Sequence, residues 1–481
     1  MSQKNSVKMS PSFLSMFREY DVRGRVNDEE LNDDSVLLIM KAFATLLRSY
    51  DPTNHTVVIG YDNRAYSPGF ADIAAGAMAE CGFHVIHIGL SLSPVVYFAQ
   101  YHYDSPAGVM ITASHNPDGW CGFKLAHGLS KTLGPKEINE LRSIVETGEF
   151  AEASGGSIEH ADVRDAYIDS VVRPIHMNPS AAPRIVIDAG NGGAGVFAWE
   201  VFHRLGCPTF QLYCDPDTKY PNYNPNPSDL RARKRLSEMV THPYIHADIG
   251  IGFDGDGDRI GIIDQNGHNI WSDRLLMILA RQLLEKTPGA KVVFDVKCTQ
   301  ALPEVIAQYG GEPIMCKTGH SHVKAKMQEE GAALAGERSG HIFVGGKDYY
   351  GFDDAIFTAA KLVEYMSHVQ KPIAEMLSGF PHYVTSPEIK AHCADEDKYE
   401  VVDRLVADLK AEYGSRVNDI NGARVLFDRG MGLVRASSNL PELVLIFEGK
   451  TEEDMLHIRD VFKAKLDTYE EIDGHWENDV R

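Results

Sequence analysis

Three short runs of β-branched residues recur along the chain, and each ends in an aspartate: Thr56–Asp62, Arg184–Asp188 and Lys291–Asp295. Helical patterns follow these runs, and strands that alternate with helices predict α/β units with mostly parallel sheets. The runs are separated by roughly a hundred residues, too far apart for a solenoid repeat. The pattern therefore predicts three similar α/β domains.

Helix signals between these strands support the prediction. Ser67 before Pro68 and Ser93 before Pro94 read as N-caps, the first of them opening a helix over 68–81. Pro135 predicts the start of a helix over 135–147, which carries an apolar face and ends before Gly148. Serine before the first turn, proline within it and glycine beyond the last turn are the usual helix boundaries.

The pattern changes after about residue 375. Amphipathic helices are predicted over 398–412 and 452–467, with strands near Leu433 and over Leu443–Phe447 between them. This combination is typical of a smaller α+β domain. The fold prediction is therefore α/β, with three similar mixed-sheet domains and a C-terminal α+β domain. The predicted boundaries are 1–164, 165–268, 269–378 and 379–481.

Composition narrows the functional class. The chain has 481 residues, too many for one core, and a net charge of −21 without a long basic run, which argues against a nucleic-acid partner. An acidic protein can still bind an anionic substrate in a locally basic cleft. Seven scattered cysteines and no apolar run of membrane-spanning length predict a cytoplasmic protein with reduced thiols and no membrane partner.

Ser114 lies in a polar loop, Ile111–Pro117, with His115 beside it. Alone, such a serine is more often a turn residue, and the adjacent histidine need not act as its base. No Gly-x-Ser-x-Gly elbow is present, which disfavours an ester hydrolase. Lys124 is a possible cationic neighbour, or an ordinary surface lysine.

Three aspartates alternate with glycines after an apolar run: Asp254, Asp256 and Asp258. Glycines would let the chain turn so that three carboxylates converge, and hard oxygen ligands suit Mg²⁺ or Ca²⁺. An EF-hand requires glutamate where this chain has Gln265, so that site is excluded. The alternative is a solvated acidic turn, but clustered carboxylates repel one another without a cation. Three carboxylates leave room for a phosphate oxygen as a further ligand of the metal, and Arg259 would lie beside that phosphate.

Gly190–Gly195 supports a competing hypothesis. The segment matches G-x-G-x-x-G after a predicted strand, and Asp215 follows at the spacing of a dinucleotide-binding fingerprint. By itself it would favour an NAD-dependent dehydrogenase, which leaves the serine and aspartate loops unexplained. A tight strand-to-helix turn is the plainer alternative.

Two later loops carry further polar groups. Glu337 and Ser339 stand two residues apart, and on an extended stretch they would face the same way, suiting vicinal sugar hydroxyls. Arg435–Pro441 combines a guanidinium with hydroxyls and an amide, a plausible phosphate cradle. Singly, each is compatible with an ordinary polar loop.

Together these motifs resemble the α-D-phosphohexomutases, especially their bacterial phosphomannomutase/phosphoglucomutase branch. The resemblance extends from Phe17–Gly24 to Arg435–Pro441, and Thr112–Pro117 and Asp254–Arg259 are its most specific segments. It implies four domains around a central cleft and a mutase acting through a phosphoserine and a hexose 1,6-bisphosphate. Gly190–Gly195 has a counterpart in the family without a dinucleotide.

The resemblance implies a role for each matching residue. Ser114 would carry the phosphoryl group and, with the three aspartates, bind Mg²⁺; His115 and Lys124 are candidates for proton transfer. The positions matching cations near the phosphate are Arg23, Lys124 and Arg259. The positions matching substrate-binding residues are Lys297, His320, Glu337, Ser339, Arg435, Ser437, Ser438 and Asn439.

The chain departs from the family pattern in two loops. Ser438 and Asn439 replace the usual last two residues of the phosphate loop, and Asp118–Cys121 differs behind the nucleophile. Thr112 and the run Thr318–Ser321 resemble the mannose/glucose branch of the family more than its glucosamine branch. A phosphoglucosamine mutase and a non-catalytic phosphosugar-binding protein remain alternatives. The sequence does not distinguish a monomer from a dimer.

Overall fold

The computed structural model of the chain describes residues 10–438 and 440–478. These residues form two compact units. The first contains residues 10–271 and 339–376, and the second contains residues 272–338 and 377–478. The predicted third domain, 269–378, is thus divided between the two units.

The first α/β segment contains a six-stranded mixed sheet in the order β1-β5-β4-β2-β3-β6. Its strands are β1 Val22–Arg25, β2 Thr56–Tyr61, β3 His84–Leu90, β4 Ala107–Ile111, β5 Trp120–His127 and β6 Ser157–His160. Its helices are α1 Pro11–Leu14, α2 Asp33–Tyr50, α3 Ser67–Glu80, α4 Ser93–His102 and α5 Pro135–Thr147. β2 pairs parallel to β3 and β4, and its apolar side chains are buried on both faces, as expected of a central strand.

The second segment has a five-stranded mixed sheet in the order β11-β10-β9-β7-β8. Its strands are β7 Ile185–Asp188, β8 Thr209–Leu212, β9 Ile249–Phe253, β10 Ile260–Asp264 and β11 Asn269–Ile270. The helices here are α6 Arg164–Val172, α7 Ala194–Arg204 and α8 Leu230–Val240, with a short 3₁₀ helix over Pro179–Ala181. β9 is buried throughout and pairs parallel to β7.

The second unit begins with an α/β segment in which β12 pairs parallel to both neighbours. Its elements are α9 Ser272–Lys286, β12 Lys291–Asp295, α10 Ala301–Gln308, β13 Glu312–Cys316, α11 His320–Glu330 and β14 Leu334–Gly336. The elements that follow in the chain belong to the first unit: β15 Ile342–Val344, α12 Ala355–Val369 and α13 Ile373–Met376.

The C-terminal segment is an antiparallel sheet covered by two helices, as its sequence predicts. Its strands are β16 Val384–Thr385, β17 Ile389–His392, β18 Val417–Asn418, β19 Ala423–Phe427, β20 Gly430–Ala436, β21 Glu442–Gly449 and β22 Trp476–Glu477. The helices are α14 Lys398–Tyr413 and α15 Glu452–Leu466, with a 3₁₀ helix over Gly414–Arg416. β20 and β21 form the long central pair, and Phe447 and Phe462 pack in the core beside them.

The helix boundaries agree with the sequence pattern, but two predicted caps are wrong. Ser67 and Ser93 are the first helical residues, and neither side chain caps its own helix. Ser67 Oγ instead donates to Asp62 Oδ1 at 2.6 Å, and Ser93 Oγ donates to Asp256 Oδ2 at 2.7 Å. Aspartate side chains therefore accept the hydroxyls that helix capping would have used, one from the preceding loop and one from a distant segment.

The glycines of Gly190–Gly195 lie against protein backbone. A Cβ on Gly190 would meet Pro225 Cα at 2.9 Å, and one on Gly195 would overlap the Cys214 carbonyl oxygen. The side chain of Asn191 donates to the Asp215 carbonyl oxygen at 2.9 Å. Close packing, rather than the approach of a pyrophosphate, explains these glycines.

Within the described residues, no helix has both the length and the apolar character that crossing a bilayer requires. All seven cysteine side chains are buried, and none of them forms a disulfide.

Candidate active site

Ser114 lies in the loop that follows β4. All five residues of β4 are buried, so the strand is fixed in the sheet and its carboxyl end presents the loop. Ser114 has φ +51°, a left-handed conformation that is uncommon for serine and clusters at functional sites. Thr112 Oγ1 accepts the Ser114 N–H at 2.8 Å and helps to hold this turn.

The three aspartates follow β9, the central strand of the second sheet. Gly257 has φ +72° and makes the turn between Asp256 and Asp258, as predicted. Gly255 has a different role, because a Cβ there would meet the Ser114 carbonyl oxygen at 2.5 Å. Its missing side chain lets the two loops touch, a requirement that only the tertiary structure reveals.

The two loops meet at Ser114 and Asp254. Ser114 Oγ donates to Asp254 Oδ2 at 2.8 Å, although 140 positions separate the residues. Asp254, Asp256 and Asp258 are fully buried, and each offers one oxygen within 4.8 Å of the others. A hydroxyl oxygen and three convergent carboxylates therefore share one site.

Lys124, on β5, balances part of this negative charge. Its Nζ donates to Asp256 Oδ2 at 2.7 Å and also contacts Asp258 Oδ2. Burial alone would depress the pKa of Lys124, but the two carboxylates overcome it and hold the pKa well above its usual range. The side chain is therefore an ammonium in this site, and the surface-lysine alternative is wrong because Lys124 is only 5% exposed.

The carboxylates differ in their protonation. Burial, followed by the charges of Asp258 and Asp256, raises the pKa of Asp254 well above its ordinary value. Burial would also raise the pKa of Asp256, but the Lys124 ammonium outweighs it and lowers that pKa. Without a further cation, the cluster stabilises only part of the charge that its three aspartates can carry.

His115 Nδ1 lies 3.0 Å from Ser114 Oγ, so the neighbouring imidazole does reach the hydroxyl. Burial, with Arg259 and Arg23 nearby, depresses the pKa of His115 well below its ordinary value and favours the neutral ring. Arg23 is fixed at the loop by Asp21 Oδ2 at 2.7 Å and by Asn116 Oδ1 at 3.1 Å. Two of the predicted neighbours of Ser114 are thus present: His115 contacts its hydroxyl, and Arg23 contacts its loop.

His341 and Asp353 are buried beside the aspartate loop, and the sequence assigned neither of them a role. Arg259 Nε donates to His341 Nε2 at 2.9 Å, and His341 Nδ1 lies 2.9 Å from Asp353 Oδ2. The same Nδ1 is 3.6 Å from Asp258 Oδ1. Because Arg259 donates to Nε2, the proton of a neutral His341 lies on Nδ1, facing the carboxylates. In the sequence, His341 is marked only by its closeness to Glu337 and Ser339.

The donor set of the aspartate loop fits a hard divalent cation. Oδ1 of Asp256 and Oδ1 of Asp258 are buried and have no hydrogen-bond partner among the described residues. Carboxylate oxygens in this arrangement match the ligands of Mg²⁺, which leaves further positions for a phosphate oxygen and waters. The first unit thus contains a candidate metal centre with a nucleophilic oxygen beside it.

Other predicted residues lie in the second unit, where hydrogen bonds link several of their loops. Glu337 Oε1 accepts the Gly319 N–H at 2.6 Å, next to His320 at the start of α11. Lys297 Nζ lies 3.2 Å from Glu388 Oε2. The charge of Lys297 and its hydrogen bond lower the pKa of Glu388 to about 2, although burial opposes this shift.

Arg435 joins the same network through Asn421. Asn421 Oδ1 accepts both the Thr318 N–H at 3.2 Å and Arg435 Nε at 3.0 Å. Arg435 Nη2 also donates to Ser438 Oγ at 3.2 Å, and Ser437 Oγ accepts the Leu440 N–H at 3.2 Å. Asn439 lies outside the described residues. Asn421 and Glu388 are connecting residues that no sequence motif indicated.

One local expectation is wrong at the sugar loop. β14 ends at Gly336, and residues 338–339 form a turn, so the alternation of an extended strand does not relate Glu337 to Ser339. Ser339 belongs to the first unit and Glu337 to the second. The next residue, Gly340, has φ +110°, and a Cβ there would meet the Ile260 carbonyl oxygen at 3.0 Å. Both observations explain why this position is a glycine.

Comparison with known families covers both units. The chain matches the phosphoglucomutase/phosphomannomutase alpha/beta/alpha domains I, II and III over residues 14–152, 165–267 and 271–383. The C-terminal domain of the same family matches residues 388–465. The chain belongs to the phosphoglucomutase/phosphomannomutase family. The predicted four-domain α/β architecture with mixed sheets is thereby confirmed.

Relatives in this family resemble the chain over nearly its full length. A phosphomannomutase/phosphoglucomutase of Pseudomonas aeruginosa is 38% identical over 94% of this chain and 95% of its own. A phosphoglucomutase of Neisseria meningitidis serogroup A is 37% identical over 94% of this chain and 97% of its own. The crystal structure of a phosphoglucomutase/phosphomannomutase family protein from Burkholderia thailandensis matches with a TM-score of 0.87 and 35% identity, covering 95% and 97% of the two chains.

Proposed function

We propose that this chain is a phosphohexomutase that interconverts hexose 6-phosphates and hexose 1-phosphates, with mannose, glucose or both as the sugar. The hydrogen bond from Ser114 Oγ to Asp254 Oδ2 carries the proposal, because it joins a nucleophilic oxygen to a candidate metal centre. Membership of the phosphoglucomutase/phosphomannomutase family and the named relatives support the same activity.

The proposed cofactor is Mg²⁺, held by Asp254, Asp256, Asp258 and an oxygen on phosphorylated Ser114. When bound, the ion supplies positive charge next to the transferring phosphoryl group. The buried carboxylate oxygens without hydrogen-bond partners support this assignment. Carboxylates and phosphate oxygens are the ligands that Mg²⁺ prefers over softer donors.

The proposed reaction proceeds in two transfers. A hydroxyl of the hexose monophosphate attacks the phosphorus on Ser114, the bond from phosphorus to Oγ breaks, and the proton of the sugar hydroxyl passes to a base. The hexose 1,6-bisphosphate then reorients and returns its other phosphoryl group to Ser114. The same bisphosphate would act as activator by phosphorylating a serine that has lost its phosphate.

Residues around Ser114 supply charge and proton transfer in this scheme. Arg23, Lys124 and Arg259 stabilise negative charge on the phosphoryl group, a major catalytic contribution in such transfers. His115 would exchange a proton with Ser114 Oγ, and the 3.0 Å distance from its Nδ1 to that oxygen supports this role. His341 and Asp353 orient Arg259 through the bond to its Nε.

We assign substrate binding to the remaining predicted residues. Glu337 and Ser339 would bind sugar hydroxyls, with Lys297 and His320 also on the substrate side. Arg435, Ser437, Ser438 and Asn439 would bind the phosphate that is not reacting. Hydrogen bonds connect Glu337 to Gly319, and Asn421 to both Thr318 and Arg435. These contacts support a joint role for the loops.

A coupled assay tests the proposal. Mannose 1-phosphate, glucose 1-phosphate and glucosamine 6-phosphate are each supplied with the matching 1,6-bisphosphate and Mg²⁺. We expect turnover of the mannose or glucose substrate, and loss of turnover in Ser114→Ala. Turnover of glucosamine phosphate alone would overturn the choice of sugar, while normal turnover in Ser114→Ala would overturn the phosphoserine mechanism. Binding without turnover in the parent would favour a phosphosugar-binding protein.

A further inference from the structure

Arg64, which no sequence motif indicated, lies beneath the Ser114 loop. The residue lies shortly after β2 in the chain. It is only 1% exposed, and its side chain is among the most deeply buried large ones. The guanidinium points to the main chain of the loop: Nη2 donates to the Ser114 carbonyl oxygen at 2.9 Å and to the Asn116 carbonyl oxygen at 2.7 Å. Nη1 donates to the Pro117 carbonyl oxygen at 3.0 Å. One side chain thus holds three carbonyl groups of a single short loop.

The loop needs such support because its backbone is strained. Ser114 is held at φ +51°, a conformation that a serine adopts only when its surroundings impose it. The Ser114 carbonyl oxygen that Arg64 binds is also the atom that a Cβ on Gly255 would overlap. The position of this carbonyl group therefore affects both the serine and the aspartate loop.

Arg64 is itself fixed from two sides. Its Nε donates to Asp62 Oδ2 at 3.1 Å, and Asp62 Oδ1 accepts the Arg64 N–H and Ser67 Oγ. Its guanidinium carbon also lies 5.3 Å from the ring centre of Tyr220. A planar guanidinium with its donors in a rigid fork can bind one carboxylate and several carbonyls at once, which a lysine ammonium cannot reproduce.

We propose that Arg64 is a positioning residue for phosphoryl transfer: by binding the carbonyl groups of Ser114, Asn116 and Pro117, it fixes the strained loop so that Ser114 Oγ faces Asp254. Arg64 acts through the loop backbone and, in the structure described, through no contact with the Ser114 hydroxyl. This inference rests on the proposed mutase function, because it concerns the geometry of the serine that carries the phosphoryl group.

The first test compares Arg64→Lys with a matched control, Arg48→Lys. Arg48 also binds a main-chain carbonyl, that of Cys81, and lies over the Phe83 ring, but it makes these contacts away from the Ser114 loop. We expect Arg64→Lys to lower kcat about 100-fold with KM changed less than about threefold, since a misplacement near 1 Å can cost that much in rate. Arg48→Lys should leave both constants close to those of the parent.

The rate of Ser114 phosphorylation by hexose 1,6-bisphosphate provides a second readout. Intact-protein mass spectrometry measures this rate at a temperature where circular dichroism shows that the protein is folded. It should fall in Arg64→Lys and not in Arg48→Lys. A purely structural role would reduce the amount of folded protein without changing kcat per folded molecule. An unchanged kcat in folded Arg64→Lys, or equal losses in both variants, would overturn the inference.

If Arg64→Lys does not fold, Asp62→Asn decides the question. In the parent, one carboxylate oxygen of Asp62 accepts from Arg64 Nε and the other from Ser67 Oγ. The asparagine replaces one of these oxygens with an NH₂ group, so it weakens the contacts that hold the guanidinium without removing the guanidinium. We expect kcat to fall about tenfold with little change in KM, and an unaltered kcat contradicts the inference. A parent protein without mutase turnover would instead refute the proposed function, so the two failures are distinguishable.

Discussion

Ser114 Oγ and Asp254 Oδ2 are joined by a 2.8 Å hydrogen bond across 140 positions of the chain. Each residue follows a central strand of a different sheet, β4 for the serine and β9 for the aspartate. Ligands of α/β proteins commonly bind beyond the carboxyl ends of strands, because loops there project from a rigid sheet. The contact turns two separate loops into one candidate centre for phosphoryl transfer.

Removal of one metal carboxylate should eliminate most of the stabilisation that Mg²⁺ confers. We expect Mg²⁺ to raise the thermal midpoint of the parent, since a ligand at a hundred times its Kd stabilises the folded state by about 2.7 kcal/mol. Asp254→Asn should lose most of this shift together with mutase activity. Asp215→Asn, at an exposed aspartate, is the matched control and should keep both. An undiminished Mg²⁺ shift in Asp254→Asn would contradict the proposed ligand set.

Lys124→Gln should make the protein depend on the metal for stability. The substitution removes the ammonium that contacts Asp256 and Asp258 and leaves buried carboxylates uncompensated, at a cost of about 3–5 kcal/mol. Mg²⁺ replaces the lost charge, so the thermal midpoint of the variant should rise more on adding Mg²⁺ than that of the parent. Lys136→Gln, which alters an exposed ion pair with Glu140, should behave like the parent. Equal Mg²⁺ shifts in all three proteins would count against a shared site.

Arg435→Lys should weaken substrate binding more than the chemical step. The guanidinium binds Asn421 and Ser438 and would grip the non-reacting phosphate in both ground and transition states. Loss of such uniform binding raises KM, here by about 10- to 100-fold, with a small change in kcat. Steady-state kinetics measure this directly, with the exposed Arg416→Lys as control. A fall in kcat at constant KM would show that Arg435 has another role.

Asp188→Asn should remove one component of the pH dependence of stability. Burial, opposed by hydrogen bonds from Tyr223 and Gly190, raises the pKa of Asp188 from 3.8 to about 6. Because the folded-state pKa is the higher one, the contribution of this carboxyl is fully present below pH 3.8 and is lost as the pH rises through about 6. The parent therefore loses up to about 3 kcal/mol over this interval, since one pKa unit corresponds to about 1.4 kcal/mol.

The asparagine retains an acceptor for the Tyr223 hydroxyl and carries no charge, so the variant should gain stability relative to the parent as the pH increases from about 4 to about 7. Thermal midpoints of the two proteins across this interval measure the difference. Parallel profiles for parent and variant would show that Asp188 ionises in the folded protein as it does in the unfolded chain.

Much of the fold could be predicted from local pattern. The helix predicted over 135–147 is α5, Pro135–Thr147, and Gly148 follows it at φ +65°. Proline fixes a φ that suits the first helical turn, and glycine tolerates the positive φ that ends a helix, so both signals act locally. The predicted strands at 56, 184 and 291 correspond to β2, β7 and β12. Ser67 and Ser93 were misassigned as caps, since their hydroxyls bind the carboxylates of Asp62, five residues away, and Asp256, 163 residues away.

The sequence by itself determined the chemical groups at this site: a serine in a polar loop, three aspartates separated by glycines, and a set of basic residues. Residue type fixes which oxygen can be a nucleophile and which can bind a hard cation, and these properties do not depend on the fold. Only the tertiary structure decided which groups meet. Lys124 forms an ion pair with Asp256, His341 accepts a hydrogen bond from Arg259, and Arg64 binds the backbone of the serine loop. Burial and packing bring these positions together, although no local periodicity relates them.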